Sequence, residues 1–322
     1  MFTIVHTLFF CKNISKPIIN LSKKSKEIGA GNFSLKIPVE SDDEIGDLAN
    51  SFNIMTENLE KYINNLAKTT AEKEKIHSEL LIAKKIQTSM LPCIFPAFPE
   101  HENIDIYALM DPAREVGGDF YDFFFVDQDN LALVVADVSD KGISAALFMV
   151  VAKILIKNEL QNHTSPEETL RKVNEKLCEN NTAGMFVTCF ISLINIKSGE
   201  FTYSNAGHNP PIIYKKNSNN CTNIEKPRGL VLGGMNNIKY KQNRDTLLPG
   251  DILLFYTDGV TEALNTKKEL FSEQKLKNIL INSNNKSNIK NLVTEIRSEI
   301  EVFSGSEARS DDITILGFKI SE

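Results

Sequence analysis

Apolar positions recur along the chain with two different periods, and the change from one to the other divides it. Leu48, Phe52, Met55, Leu59, Tyr62 and Leu66 are spaced by alternating fours and threes, which lines them up on one face of a helix as a heptad seam. The same phase resumes at Ile76, Leu80 and Ala83, after a polar stretch, KTTAEKEK, that keeps the register without apolar side chains. The flanks 56–61 and 68–79 are too polar to be buried all round, so the pattern predicts a helical rod rather than a helix packed into its own domain. The rod should end near Pro92, Pro96 and Pro99, where proline cannot continue a helix. Upstream, residues 14 to 29 read as an earlier helix, GAGN at 29–32 breaks it, and the second helix starts near Asp43.

Beyond Pro99 the period shortens to that of strands. Short β-type runs succeed one another: NIDIYAL, FYDFFFV, LALVVA, FVTCFISLINI, FTYSN, PIIYK, DILLFYT and ITILGFKI. Helical patterns cover 143–158, 166–179 and 287–303, the second opening with SPEE, a capping box with proline at its first position. Most links between runs are too short for a crossover helix, so the expectation is an α+β domain of antiparallel sheets with helices packed outside. The polar excursion KKNSNNCTN, 215–223, reads as a loop. The organisation predicted is a short apolar segment at 1–13, a helical module at 14–66, a coiled-coil linker with a proline-rich connection at 67–99, and the α+β domain at 100–322.

Composition narrows the function classes. With 322 residues, 42% hydrophobic and 24% charged, the chain is globular. A net charge of -6 argues against nucleic acid as a partner, whose footprint is a basic patch, and means that any phosphate chemistry would need a cation. Cys11, Cys93, Cys178, Cys189 and Cys221 are odd in number and show no CxxC spacing, so neither a disulfide framework nor a zinc site is expected and a reducing cytoplasm is the default. MFTIVHTLFF is apolar, but Lys12 interrupts it well before the about 20 residues a bilayer-spanning helix needs. Lys12, Lys16, Lys23, Lys24 and Lys26 fit the cytoplasmic flank of a membrane segment, of which 1–13 would be a remnant, as well as they fit a solvated helix face.

Candidate chemistry lies at the strand ends. In LALVVADVSDKGISAALFMV, 131–150, Asp137 stands where a buried strand gives way to a turn. Asp119 opens FYDFFFV, Asp258 closes DILLFYT and Asp311 opens ITILGF. In an antiparallel sheet the start of one strand lies beside the end of its neighbour, so the four can converge on one edge. Any one of them alone reads as an ordinary turn aspartate. Together, four close carboxylates require a cation, and an oxygen-only donor set selects hard ions such as Mg²⁺ or Mn²⁺. Two ions bridged by Asp137 suit the count. Gly117, Gly118, Gly142 and Gly259 sit beside these residues and permit close backbone approach.

VGGDFYD, ADVSDKG, NAGHNPP, YTDGVTEA and SDDIT occur in that order over residues 100–320. Together they resemble the bacterial metal-dependent serine/threonine phosphatases of the PP2C superfamily, in the sporulation and stress-response subgroup. Residues 14–63, through Pro17, Gly31, Asp43, Glu44, Gly46 and Leu48, resemble a HAMP signalling module. The resemblance implies a two-layer antiparallel β-sandwich flanked by helices, with a dinuclear Mn²⁺ or Mg²⁺ site at one end. It implies that Asp137 bridges the ions, that the Val138 carbonyl ligates one, that Asp258 and Asp311 complete the pair, and that Asp119 holds an outer-shell or third ion. Arg114, five residues before Asp119, matches the family's phosphate-binding arginine. Asp312 reads as a surface turn, and His208 as a residue that shapes a turn. Ser139 stands where the eukaryotic branch carries a proton-donating histidine, which leaves the group that protonates the leaving serine unassigned.

The activity implied is hydrolysis of phosphoserine or phosphothreonine on a partner protein, in this subgroup a small anti-sigma-antagonist, under control of the HAMP-like and coiled-coil region. A parallel homodimer through 45–91 would bury the seam. The competing expectation is a catalytically silent scaffold that binds a regulatory partner through the same fold; the complete set of acidic residues favours the enzyme.

Overall fold

The computed structural model describes residues 2–162, 165–179, 181–224 and 229–321. Two compact units divide the chain, Met1–Glu79 and Leu80–Glu322.

The first unit contains α1 (Phe2–Phe10), a π-helical turn at Cys11–Ser15, α2 (Lys16–Gly29) and most of α3 (Glu44–Met90). The break between α2 and α3 falls at the predicted GAGN, where Gly31 takes a φ of 102°. Asp43 starts α3 as a capping residue: its carboxylate accepts the backbone N–H groups of Ile45 at 3.0 Å and Gly46 at 3.2 Å. Gly46 is required there, because a Cβ would lie 1.8 Å from the Ser41 carbonyl oxygen. Asn53 on α3 secures the connecting segment by accepting the Ile37 N–H at 2.7 Å and donating to the Ile37 carbonyl at 2.8 Å. Ile28, Ile37, Ala49 and Thr56 are buried around these contacts, whereas Leu48, Met55, Leu59, Tyr62 and Leu66 of the heptad seam are exposed. No helix among the described residues is long and apolar enough to cross a membrane.

The second unit is a sandwich of two five-stranded antiparallel sheets. Its strands are β1 (Ile104–Asp111), β2 (Phe120–Phe125), β3 (Asn130–Val138), β4 (Val187–Asn195), β5 (Glu200–Ala206), β6 (Ile212–Lys215), β7 (Asn220–Asn223), β8 (Gln242–Thr246), β9 (Ile252–Tyr256) and β10 (Ile313–Ile320). One sheet runs β1-β10-β9-β6-β7 and the other β2-β3-β4-β5-β8. Phe190 of β4 meets Phe255 of β9 edge to face, 5.7 Å between ring centres, in the core between them.

Helices cover both outer faces. On α4 (Ile143–Gln161), Ala145, Met149, Ala152, Ile156 and Leu160 are buried at helical spacing and the helix packs, with α5 (Pro166–Cys178), on the β3 sheet. On the other sheet, α7 (Ser272–Asn282) and α8 (Ile289–Ser304) bury Leu276, Leu280, Leu292, Val293 and Ile296. Each such side chain contributes about 1.5–3 kcal/mol. The short α6 (Asp258–Thr261) comes directly after β9. Leu91 is buried in the sandwich core and Phe95 and Phe98 pack against it, so the proline-rich connection is part of this unit's packing.

All eight apolar runs are strands. Four elements of this unit depart from the sequence reading: KKNSNNCTN is a hairpin, in which β7 pairs with β6; β8, QNRDT, has no apolar residue to announce it; α6 is a single turn; and α7 goes unpredicted although Leu276, Ile279 and Leu280 follow helical spacing. Pro166 opens α5 as expected, but Ser165 makes no side-chain capping bond; Glu168 is drawn instead to Arg171, 2.5 Å away.

Candidate metal centre

Register brings the four aspartates together in two pairs, one from each sheet. Phe120 pairs with Ala136, which sets Asp119 beside Asp137. Ile315 pairs with Tyr256, which sets Asp258, at the start of α6, beside the Asp311–Asp312 segment before β10. The pairs meet at one end of the sandwich rather than along the edge of one sheet. Thr257 joins them: its hydroxyl donates to Asp119 at 2.7 Å and accepts the Thr314 N–H at 3.0 Å.

Asp312 is buried, not a surface turn. Its carboxylate accepts the backbone N–H of Ala113 at 2.7 Å and of Gly118 at 2.8 Å, and so holds the segment leading into Asp119 against the other sheet. That approach needs glycine. A Cβ on Gly117 would lie 2.5 Å from an Asp312 carboxylate oxygen, one on Gly259 1.9 Å from the Asp312 carbonyl oxygen, and one on Gly118 2.9 Å from the Val138 carbonyl oxygen.

Burial and mutual repulsion shift the carboxyls upward. Asp119 is raised well above the usual range by burial and then by the charges of Asp137 and Asp312. Asp137 is pushed up to about 7 by burial and then by Asp258, with Asp311 and Asp312 adding to it. Asp258 is raised by burial, Asp311 and Glu262. Such a set, all oxygen donors and each making its neighbours harder to ionise, fits a hard divalent cation. Among the described residues no three acidic, histidine or cysteine side chains are already closed around one point as a finished ion site. Asp311 is turned to Lys141, 2.9 Å away.

The remaining predicted residues fall on the surrounding loops. Val138 ends β3. Arg114 is exposed, one guanidinium nitrogen 4.0 Å from where a Cβ on Gly142 would stand, over the 139–142 turn next to the carboxylates. Ser139 donates its backbone N–H to the Phe186 carbonyl at 2.8 Å and accepts the Phe186 N–H on its hydroxyl at 2.9 Å. Together the two bonds prolong the β3–β4 ladder by one pair. His208 shapes a turn, as expected, its backbone N–H and C=O both bonded to the Asn205 side chain. Sequence reasoning missed Lys141, Thr257 and Gln87. Buried Gln87, near the end of α3, donates to the Gly117 carbonyl at 2.6 Å and accepts the Gly117 N–H at 3.1 Å. Lys141 stands inside the ADVSDKG motif, and a polar residue among the apolar positions of α3 was the available sign for Gln87.

The sequence profile described as Stage II sporulation protein E (SpoIIE) matches residues 127–321, and that of the HAMP domain matches residues 10–61. The chain belongs to the SpoIIE family. Protein IcfG of Synechocystis is 32% identical over 332 residues, covering 93% of this chain and 50% of the relative. Phosphoserine phosphatase RsbU of Bacillus subtilis is 35% identical over 189 residues, 59% of this chain and 55% of RsbU. This SpoIIE-family chain thus spans about half the length of the curated relatives it matches. In fold it is similar to the SiaA-PP2C domain of Pseudomonas aeruginosa, with a TM-score of 0.68 at 19% identity, over 77% of this chain and 98% of that one.

His208 yields a prediction about acid stability. Burial lowers its pKa to about 4, from 6.5, so the folded state binds fewer protons than the unfolded state between those values. Its contribution is complete above pH 6.5 and is lost as pH falls toward 4, by about 3 kcal/mol. Urea unfolding at stepped pH should show wild type losing that much more stability over the window than His208→Gln; parallel curves would refute the assignment.

Proposed function

We propose that the chain is a metal-dependent protein phosphatase that hydrolyses phosphoserine or phosphothreonine on a partner protein, of the anti-sigma-antagonist type, in bacterial signal transduction. The observation that carries this reading is the meeting of Asp119 and Asp137 from one sheet with Asp258 and Asp311 from the other, in a chain of the SpoIIE family. The name of RsbU, a phosphoserine phosphatase, supports the substrate class.

In this reading Asp137, the Val138 carbonyl, Asp258 and Asp311 hold two Mn²⁺ or Mg²⁺ ions, and Asp119 holds an outer-shell or third ion. Bound there, such ions would supply Lewis acidity toward the phosphoryl group and its attacking water. The chain's own groups do the positioning. Arg114, exposed over the 139–142 turn, grips the phosphoryl oxygens through paired N–H donors. Thr257 and Asp312 fix the Asp119 segment between the sheets. Ser139 Oγ accepts the Phe186 N–H and keeps its own O–H to donate, so the proton donor to the leaving serine stays unassigned.

The HAMP domain and the helix α3 supply the control. The exposed heptad seam of α3 supports a parallel homodimer, since its apolar side chains have no cover in a single chain. The bidentate grip of Gln87 on Gly117 supports transmission, because a turn of the helix end would pull on the backbone one residue before Gly118 and two before Asp119.

Phosphate release from phosphoserine protein should require Mn²⁺ or Mg²⁺, and Asp137→Asn or Asp258→Asn should lower it by at least about a hundredfold. Full activity in excess chelator would sink the two-ion reading. Arg114→Ala should raise KM by about ten- to a hundredfold with a smaller effect on kcat; unchanged constants would remove Arg114 from the site. A catalytically silent scaffold would instead show no turnover at any ion concentration.

Light scattering should give a dimer at tens of micromolar, and Leu59→Asp combined with Leu66→Asp should give a monomer. A monomeric wild type would count against the seam. Inserting one residue between Lys68 and Thr69 rotates the downstream half of α3 by about 100°, whereas seven residues restore the phase. The single insertion should alter the rate and the seven-residue insertion should return it; equal rates in all three proteins would make α3 a passive tether.

A further inference from the structure

Among the described residues, the one ion pair that involves this group of aspartates is Lys141 with Asp311. Lys141 lies in the turn between β3 and α4, flanked by Asp140 at a φ of 70° and Gly142 at 87°, a conformation that projects the intervening side chain across to the segment before β10. Its ammonium is 2.9 Å from Asp311 Oδ2 and donates to the Ser310 carbonyl at 2.5 Å. The other Asp311 oxygen, Oδ1, accepts the backbone N–H of Asp312 at 2.9 Å. Both oxygens are therefore engaged, one by a fixed backbone group and one by a flexible side chain. The ammonium also opposes the upward shift that burial and Asp311 impose on Asp258, so it neutralises more than its own partner.

A pair as exposed as this, each side chain at 34%, would be worth little on an ordinary surface. Here its partner belongs to a set of carboxylates that needs positive charge. A divalent cation that takes Asp311 through Oδ2 comes up against the Lys141 ammonium on the same oxygen, and like charges so close must separate; the Asp312 N–H, fixed in the chain that enters β10, cannot swing aside. Lys141 can.

We propose that Lys141 is a tethered counter-charge that competes with the divalent cation for Asp311, holding the Asp311 segment in place without the ion and yielding the carboxylate when the ion binds. The inference rests on Asp311 being an ion ligand, as in the proposed function. Lys141 is a positioning residue in this role: it sets how much of the ion's binding goes into releasing Asp311, and thus the ion concentration at which the centre fills. Anchored by Ser310, the released ammonium stays at the rim of the site.

The test is calorimetric titration of the full chain with Mn²⁺, together with thermal unfolding in chelator and in saturating Mn²⁺. Lys141→Met should bind Mn²⁺ about three- to thirtyfold more tightly than wild type, melt at a lower temperature in chelator, and lose that deficit in saturating Mn²⁺. Lys141→Gln, which keeps a donor for Ser310 and drops the charge, should show the same tightening, and Lys141→Arg should stay close to wild type. In an Asp311→Asn background the tightening produced by Lys141→Met should shrink to the smaller part that acts through Asp258; equal tightening in both backgrounds would show that the lysine acts by general repulsion of the ion rather than through Asp311, and would overturn the proposal. Equal or weaker Mn²⁺ binding by both Lys141→Met and Lys141→Gln overturns the proposal while leaving the ion reading intact. Absence of Mn²⁺ binding by wild type overturns the ion reading itself, and this inference with it.

Discussion

Like charges cannot be gathered in a low-dielectric site without compensation, and five aspartates at one end of a sandwich make that the governing constraint of this structure. The compensation is divided unequally. Asp312 places its charge on two backbone N–H groups, Asp119 leans on Thr257, and Asp311 is held by Lys141 and the Asp312 N–H. Asp119, Asp137 and Asp258 are nonetheless left with raised pKa values. The structure thereby separates Asp312, whose two oxygens are taken by backbone N–H groups, from four carboxylates whose compensation is incomplete.

The same constraint explains the geometry of the two sheets at this end. Carboxylates from different sheets can act on one ion only if the backbones that carry them approach closely, and side chains are the obstacle. Glycine removes it. Gly259 and Gly117 admit the Asp312 carbonyl and carboxylate where any Cβ would collide, so the glycines beside the aspartates serve the meeting of the sheets rather than turn flexibility alone.

Each feature is legible in the sequence to the extent that it depends on local pattern. The eight core strands are legible because a buried strand has to be apolar, and the four aspartates are legible because each interrupts such a run at its end. β7 (NCTN) and β8 (QNRDT) are not, since each sits at the edge of its sheet, where polar residues guard against further pairing and erase the usual signal. The adjacent pair Asp311–Asp312 shows a different limit. Nothing local says which of two neighbouring aspartates points inward, and the one taken for a surface residue is the buried strut. Gln87 and Lys141 act through partners 30 and 169 residues away, beyond any window of local pattern. Register, finally, decides that the four carboxylates come two from each sheet, and the apolar runs themselves do not distinguish that from one continuous edge.

The bond from Gly118 to Asp312 spans 194 residues, and β1 pairs with β10 along its whole length, from Ile104 with Ile320 to Asp111 with Ile313. Contacts so distant in sequence form late, because loop closure must be met before they reward it. A chain collapsed around the β3 sheet alone would hold Asp119 and Asp137 but neither Asp258 nor Asp311. It would offer a cation half of its donors. A ligand that needs the complete set stabilises only the complete fold, by RT ln(1 + [L]/Kd). Ions at this end would therefore discriminate among folding intermediates, drawing the population away from compact species in which the second sheet has not yet docked.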